Sequence, residues 1–187
     1  MSPFFVFINM DINYTFNNYG NFDTSEILRI INDENLDWDD FRFRQITFKE
    51  HIHTKTIPIL FQPDFRSFEI SPTKHYNLFK DQIFLLEETL NNNIGYDGHI
   101  FRAILVMLVK GGKIPKHRDG GITLLEPKRI HIPIVTNEKC FFTVGDEIKN
   151  LQVGEIWEIN NGFKLHEVSN DGDEDRIHLI VDWKPNQ

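Results

Sequence analysis

The sequence predicts a mainly β protein of the α+β kind, a double-sheet jelly roll backed by N-terminal helices. Three observations predict it. From His99 onward, seven or eight short runs of strand-forming residues fill about 85 positions, punctuated by Gly145, Gly154, Gly162 and Gly172. Phe101–Val109 is almost continuously apolar, as a strand covered on both faces must be. Ahead of these lies one long helical stripe, Leu78, Phe79, Ile83, Leu86 and Leu90.

Taken in order, residues 4–8 read as a first strand, and Asn13–Asn21 as a polar turn. Ile27, Leu28, Ile30 and Ile31 form a short helix capped at Asp23 or Thr24. Phe41, Phe43, Gln45 and Thr47 alternate with Arg42, Arg44, Ile46 and Phe48, which predicts a strand over 41–48. Ile57–Phe61 is extended, and Pro58 suits an edge. The long helix spans 74–92 and stops at the asparagines before Gly95. Strands follow at 101–109, 129–136, 140–144, 147–151, 155–160, 165–169 and 176–183. The jelly roll used by cupins has this strand count.

The 187 residues suit one domain, 1–187, with an N-terminal α/β flank (1–95) packed on a β core (99–184). No internal repeat or low-complexity segment interrupts it. Seventeen phenylalanines supply bulky apolar packing. The net charge of −8 and the absence of a Lys/Arg cluster argue against a nucleic-acid partner. Acidic runs at 37–40 and 171–175 read as solvated turns. Cys140 is the single cysteine, which fits a reducing compartment. The apolar start lacks a basic leader, and no stretch has the length of a membrane span. The expectation is a cytoplasmic protein, with nothing to fix its oligomeric state.

Chemistry concentrates between Pro115 and Trp183. His117 and Asp119 are two apart, so on a strand they face the same way and reach one ion. Gly120 and Gly121 let the chain turn beside it. His166 follows, and then Arg176. A hairpin turning about Asp171 would set His166 directly opposite Arg176. Two imidazoles and a carboxylate on one face of a metal form the arrangement of non-haem Fe(II) oxygenases. An arginine inside a barrel needs an anion, and its fork matches a carboxylate. Arg129 and His131 are again two apart, with isoleucines on the opposite face. His178 shares a face with Arg176 on an ideal strand. His51, His53, His75 and His99 have no evident partner pattern. The same barrel also suits a cupin-like metal-dependent isomerase or a small-molecule-binding protein without oxygenase activity.

Together His117, Asp119, Arg129, His131, Gly154, Glu155, Asn160, Asn161, His166 and the run Arg176–Trp183 resemble the aspartyl/asparaginyl β-hydroxylase family. The resemblance covers about residues 99–184. It implies a double-stranded β-helix that uses Fe(II), 2-oxoglutarate and O₂ to hydroxylate an amino acid, free or within a peptide. His117, Asp119 and His166 would hold iron. Arg176 would bind the distal carboxylate of 2-oxoglutarate, and Arg129 and His131 its other end or the substrate's carboxylate. Some relatives acting on protein side chains lack the metal carboxylate and carry a hydroxyl residue on the preceding strand; here Asp119 is present and Ala103–Val109 has no hydroxyl. By length alone, His51–Phe65 and Gly120–Lys128 are the segments expected to cover a substrate.

Overall fold

The computed structural model describes residues 13–186. Two antiparallel sheets pack together. The larger runs, edge to edge, β1 (Phe16–Asn21), β8 (Glu155–Ile159), β5 (Lys128–Val135), β10 (Arg176–Pro185), β3 (Gly98–Leu108) and β2 (Thr54–Leu60). The smaller runs β4 (Lys113–His117), β9 (His166–Asn170), β6 (Cys140–Val144) and β7 (Glu147–Lys149). From β3 to β10 the chain passes back and forth between the sheets, with β6 and β7 as the one consecutive pair inside a single sheet. That alternation is the double-stranded β-helix. Helices α1 (Ser25–Asp33), α2 (Phe43–Thr47), α3 (Tyr76–Ile94) and α4 (Ile122–Leu125), with a 3-10 turn at Lys49–His51, complete the elements of the described residues.

The period-2 geometry of a strand sorts the central strands of the large sheet cleanly. On β10, Ile177, Leu179, Val181 and Trp183 join one core together with Ile130, Ile132 and Ile134 of β5. Helix α3 lies on that side, contributing Phe79, Ile83, Leu86 and Leu90, and α1 adds Ile27 and Ile30. The alternate residues Arg176, His178, Ile180 and Asp182 point the other way, between the sheets. There Leu108, Ile159 and the small sheet's Ile114, Phe142, Val144 and Val168 close a second core. The outer core therefore fixes the sheet, and the residues left facing inward are free to be polar. Helix α3 ends as its asparagines and glycine predict: Gly95 takes φ 90°, and its N–H donates to Asn91 O at 3.0 Å. Leu78 departs from the stripe and is exposed.

Three readings need correction. Asn13–Asn21 is not a turn, because 16–21 form edge strand β1 against β8. Its asparagines disguise a strand in which Phe16 and Tyr19 pack inward, while Asn17 and Tyr19 donate to the buried carboxylate of Glu158. Residues 41–48 contain helix α2 rather than a strand. Their alternation misleads because Arg44 is buried and Ile46 is exposed, the reverse of what hydropathy assigns. The hairpin between 165–169 and 176–180 does not form: β9 pairs with β4 and β6, β10 with β3 and β5. The acidic turn after β9 carries the chain across to the other sheet. The expected strand at 4–8 lies outside the described residues. The edge position of β2, with Pro58, is as predicted. No helix among the described residues is long and apolar enough to cross a membrane.

Leu86 is fully buried under the large sheet while its neighbour Leu85 is largely exposed. Leu86→Ala is expected to lower unfolding free energy by about 2–5 kcal/mol, and Leu85→Ala by less than about 0.5 kcal/mol, in urea titrations.

Candidate metal centre

β4 and β9 are neighbours, and their register places His117 directly opposite His166. The two rings lie 4.2 Å apart between centroids. β4 ends at His117, so Asp119 is held by the loop that follows rather than by strand alternation. Its N–H donates to Asn161 O at 3.0 Å, and the Asn161 side chain donates to Asp119 Oδ2 at 3.0 Å. Asp119 Oδ1 consequently faces both imidazoles, 3.6 Å from His117 Nε2 and 3.9 Å from His166 Nε2. One ligand atom from each of the three residues falls within 4.8 Å of the others. Atoms bonded at about 2.0–2.2 Å to one ion are separated by no more than about 4.4 Å, so the set is close to what a metal requires.

The His117 tautomer is also set. His117 Nδ1 lies 2.8 Å from Pro115 O, which fixes a proton there and leaves Nε2, on the side of Asp119, as the nitrogen able to ligate. Burial pushes His166 down to about 4, so its ring is neutral at pH 7 and able to ligate. Burial also opposes charge on His117, but Asp119 and the Pro115 carbonyl outweigh it and hold its pKa above the ordinary value. For Asp119, burial would raise the pKa; Arg129 outweighs it, aided by His117, His166 and Asn161, and the carboxyl stays well below the usual range.

Behind this group runs a chain of buried ions. Arg129 donates from Nη1 to Asp119 Oδ2 at 2.9 Å, and from Nε and Nη2 to Asp182 at 2.9 and 3.0 Å. Arg102 donates to Asp182 Oδ2 as well, at 2.7 Å. Arg102, Asp182 and Arg129 are cross-strand neighbours on β3, β10 and β5, one row across the sheet. Arg129 does line the cavity, as expected, but two carboxylates occupy its fork. Its direct action is to orient Asp119.

Arg176 is in the opposite condition. It is 1% exposed, points between the sheets, and forms no ion pair with any carboxylate among the described residues. Its Nη2 contacts His178 Nδ1, its Nε has no partner, and its guanidinium sits over the Phe142 ring. Burial lowers its pKa to about 10. His131 also faces inward, 5.8 Å from the His178 ring, with both ring nitrogens buried and unpartnered. Burial holds both imidazoles neutral, their pKa values well below the ordinary value. Arg176 and His166 thus share a cavity, though from different sheets and not across a hairpin.

Sequence reasoning missed two residues of this cavity, Arg44 and His51, both from the N-terminal flank. It also missed Arg102 and Asp182, whose signal was present: Arg102 is the one charge inside β3, and Asp182 the one carboxylate of β10. Of the two segments expected to cover the site, His51–Phe65 divides. His51 lines the cavity, 5.9 Å from His117 between ring centroids, while β2 is a buried edge strand. In the other segment, Gly121 takes φ 97° to start α4, and Asn161 Nδ2 ties that helix down through Leu124 O at 2.9 Å.

The sequence profile of the aspartyl/asparaginyl beta-hydroxylase family matches residues 31–185. The chain belongs to that family. Solved structures of similar fold include HygX from Streptomyces hygroscopicus, with nickel and 2-oxoglutarate bound (TM-score 0.58, 12% identity, 92% of this chain and 83% of that one). A 2OG-Fe(II) oxygenase family oxidoreductase from Burkholderia pseudomallei gives 0.57 at 14% identity, over 72% and 67% of the two chains. A Trichoplax adhaerens prolyl hydroxylase, in complex with a hypoxia inducible factor peptide, gives 0.54 at 10%, over 92% and 84%. No curated protein matches the chain. Membership extends the expected coverage, since the match begins in α1 rather than at the β core.

Two measurements test the centre. With metal removed by chelator, stability should fall as pH drops from about 6.5 toward 4, because the unfolded chain binds a proton that buried His166 refuses until about 4. His166→Asn should flatten that part of the pH–stability curve; an unchanged slope contradicts the assignment. Asp182→Asn removes the charge shared by two buried arginines and should cost about 3–5 kcal/mol in urea titrations.

Proposed function

We propose that this protein is an Fe(II)- and 2-oxoglutarate-dependent oxygenase that hydroxylates an amino acid, free or within a peptide. The observation that carries the proposal is the pairing of two features in one cavity: the His117, Asp119, His166 group and the buried, carboxylate-free Arg176. Family membership supports the reaction class. The 2-oxoglutarate bound to HygX and the peptide on the Trichoplax enzyme support the co-substrate and the kind of substrate.

The donor set fits ferrous iron: two imidazole nitrogens and one carboxylate oxygen on one side, with the other side open to the cavity, His117 giving up any proton on Nε2 when the ion binds. The bound metal would supply the redox chemistry that couples oxidative decarboxylation of 2-oxoglutarate by O₂ to hydroxylation, giving succinate, CO₂ and the alcohol. The protein's own groups do the positioning. Asp119 remains anionic because Arg129 and Asn161 hold Oδ2, leaving Oδ1 as the ligand. Arg176 would take the far carboxylate of 2-oxoglutarate on its planar fork, with charge-assisted bonds worth roughly 1.5–3 kcal/mol each. His131, with two unpartnered nitrogens beside the path between Asp119 and Arg176, would donate to the same molecule. Phe142, Ile159, Val168 and Ile180 keep bulk water from the reacting atoms. No side chain needs to act as a general acid or base. The lone buried Cys140 supports a reducing compartment such as the cytoplasm.

Under argon, Fe(II) plus 2-oxoglutarate should give a visible charge-transfer band, and admitting air should release succinate. His117→Ala should abolish both. Arg176→Met should keep iron but raise the KM for 2-oxoglutarate about tenfold or more. Absence of the band and of succinate in the wild type overturns the proposal.

A further inference from the structure

The cavity wall carries three arginines and one carboxylate. Arg129 is consumed by Asp119 and Asp182, and Arg176 has a role in the reading above. Arg44 is left over. It belongs to α2, a five-residue helix of the N-terminal flank, yet it is only 7% exposed and turned inward. Its Nη2 lies 3.0 Å from His51 Nε2, and its Nη1 is buried with no hydrogen-bond partner. Among the described residues no carboxylate pairs with it. His51 supplies no compensating charge: an imidazole is never an anion, and its Nε2 meets the guanidinium only as a hydrogen-bond acceptor. Burial and the nearby Arg129 push the Arg44 pKa down to about 10, which leaves it cationic at neutral pH. A buried cation without a counter-ion is strongly unfavourable unless an anion arrives to meet it.

The position of this cation gives it meaning. His51 is in edge-to-face contact with the ring of His117, so Arg44 stands one side chain away from the metal group. Phe43, Phe48, Phe61 and Phe65 pack against one another around α2 and hold its backbone, so Arg44 cannot simply swing into water. Arg176 reaches the cavity from β10 and Arg44 from the flank. One bidentate diacid accounts for the first and leaves the second unmet.

We infer that Arg44, with His51 beside it, is a substrate-binding site for a carboxylate, so that the molecule hydroxylated carries an anionic group placed next to the metal. The inference rests on the oxygenase reading and adds the charge of the substrate. A carboxylate matches better than a bulkier anion because one planar edge of a single guanidinium is all that is on offer. Arg44 would then select acids over their amides or esters, since a neutral group would leave the buried charge unpaired.

The test uses acetate as the smallest carboxylate, with protein loaded with Fe(II) and 2-oxoglutarate under argon so that Arg176 is already engaged. Acetate should raise the Tm of the wild type in a saturable manner. Arg44→Met should weaken that response by about tenfold, the effect of losing one charge-assisted contact. Arg44→Lys, which keeps the charge and most of the side chain, should retain a response and serves if the methionine variant misfolds by circular dichroism. Both variants should still show the 2-oxoglutarate band. Identical acetate curves for wild type and Arg44→Met, or no acetate response in the wild type, overturn the inference. A wild type that lacks the band overturns the oxygenase reading instead, and the acetate difference between wild type and variant is read separately from it.

Discussion

Asp182 sits between two arginines with 1% of its surface reaching water. Such a carboxylate is tolerable only because Arg102 and Arg129 arrive from strands on both sides of β10 at hydrogen-bonding distance. The cross-strand row that results is the base on which the cavity is built. Arg129, held by Asp182, has a third donor aimed at Asp119, and Asp119 in turn presents its free oxygen to two imidazoles. Position is thereby passed from the middle of a well-packed sheet to a loop that has no regular structure of its own. The loop needs no rigidity beyond that, since Asn161 pins its backbone and its carboxylate together.

The division of labour between the faces of β10 explains how one strand can be both core and site. Its odd-numbered residues anchor the sheet to α3, and the resulting burial pays for the inward-facing charges opposite. The small sheet contributes little polar chemistry except the two opposed histidines. Most of the rest of its inner face is aliphatic or aromatic, which keeps the dielectric low and makes each charge in the cavity count for more.

Much of this was legible beforehand. Strand number and sequence position from His99 onward followed from alternation and glycine spacing, and the helix α3 stripe was correct apart from Leu78. The candidate metal group could be picked out because its members are chemically distinctive, and the structure brings all three together. Arg176 was selected for a sound electrostatic reason by way of a hairpin that does not exist: consecutive strands in this fold change sheets, so sequence proximity says little about pairing. Where periodicity failed outright, at 41–48, the failure has a physical cause. A buried arginine and an exposed isoleucine invert the usual code, and that inversion occurs beside the reactive centre, where local rules are most often set aside for function. Asn17 and Tyr19 show a milder form, since hydrogen bonds to Glu158 hold in a strand what composition marks as a turn.

The two ends of the cavity belong to different layers of the sandwich. His117 and His166 ride on the small sheet; Arg176 rides on the large one, and no covalent or ionic link joins these three side chains directly. A diacid gripped at both ends would therefore span the sandwich, whose gap is already set by the Arg129–Asp119 ion pair and the apolar core between the layers. A molecule one methylene shorter or longer would meet one anchor and miss the other, the fixed spacing of the two layers serving as the ruler.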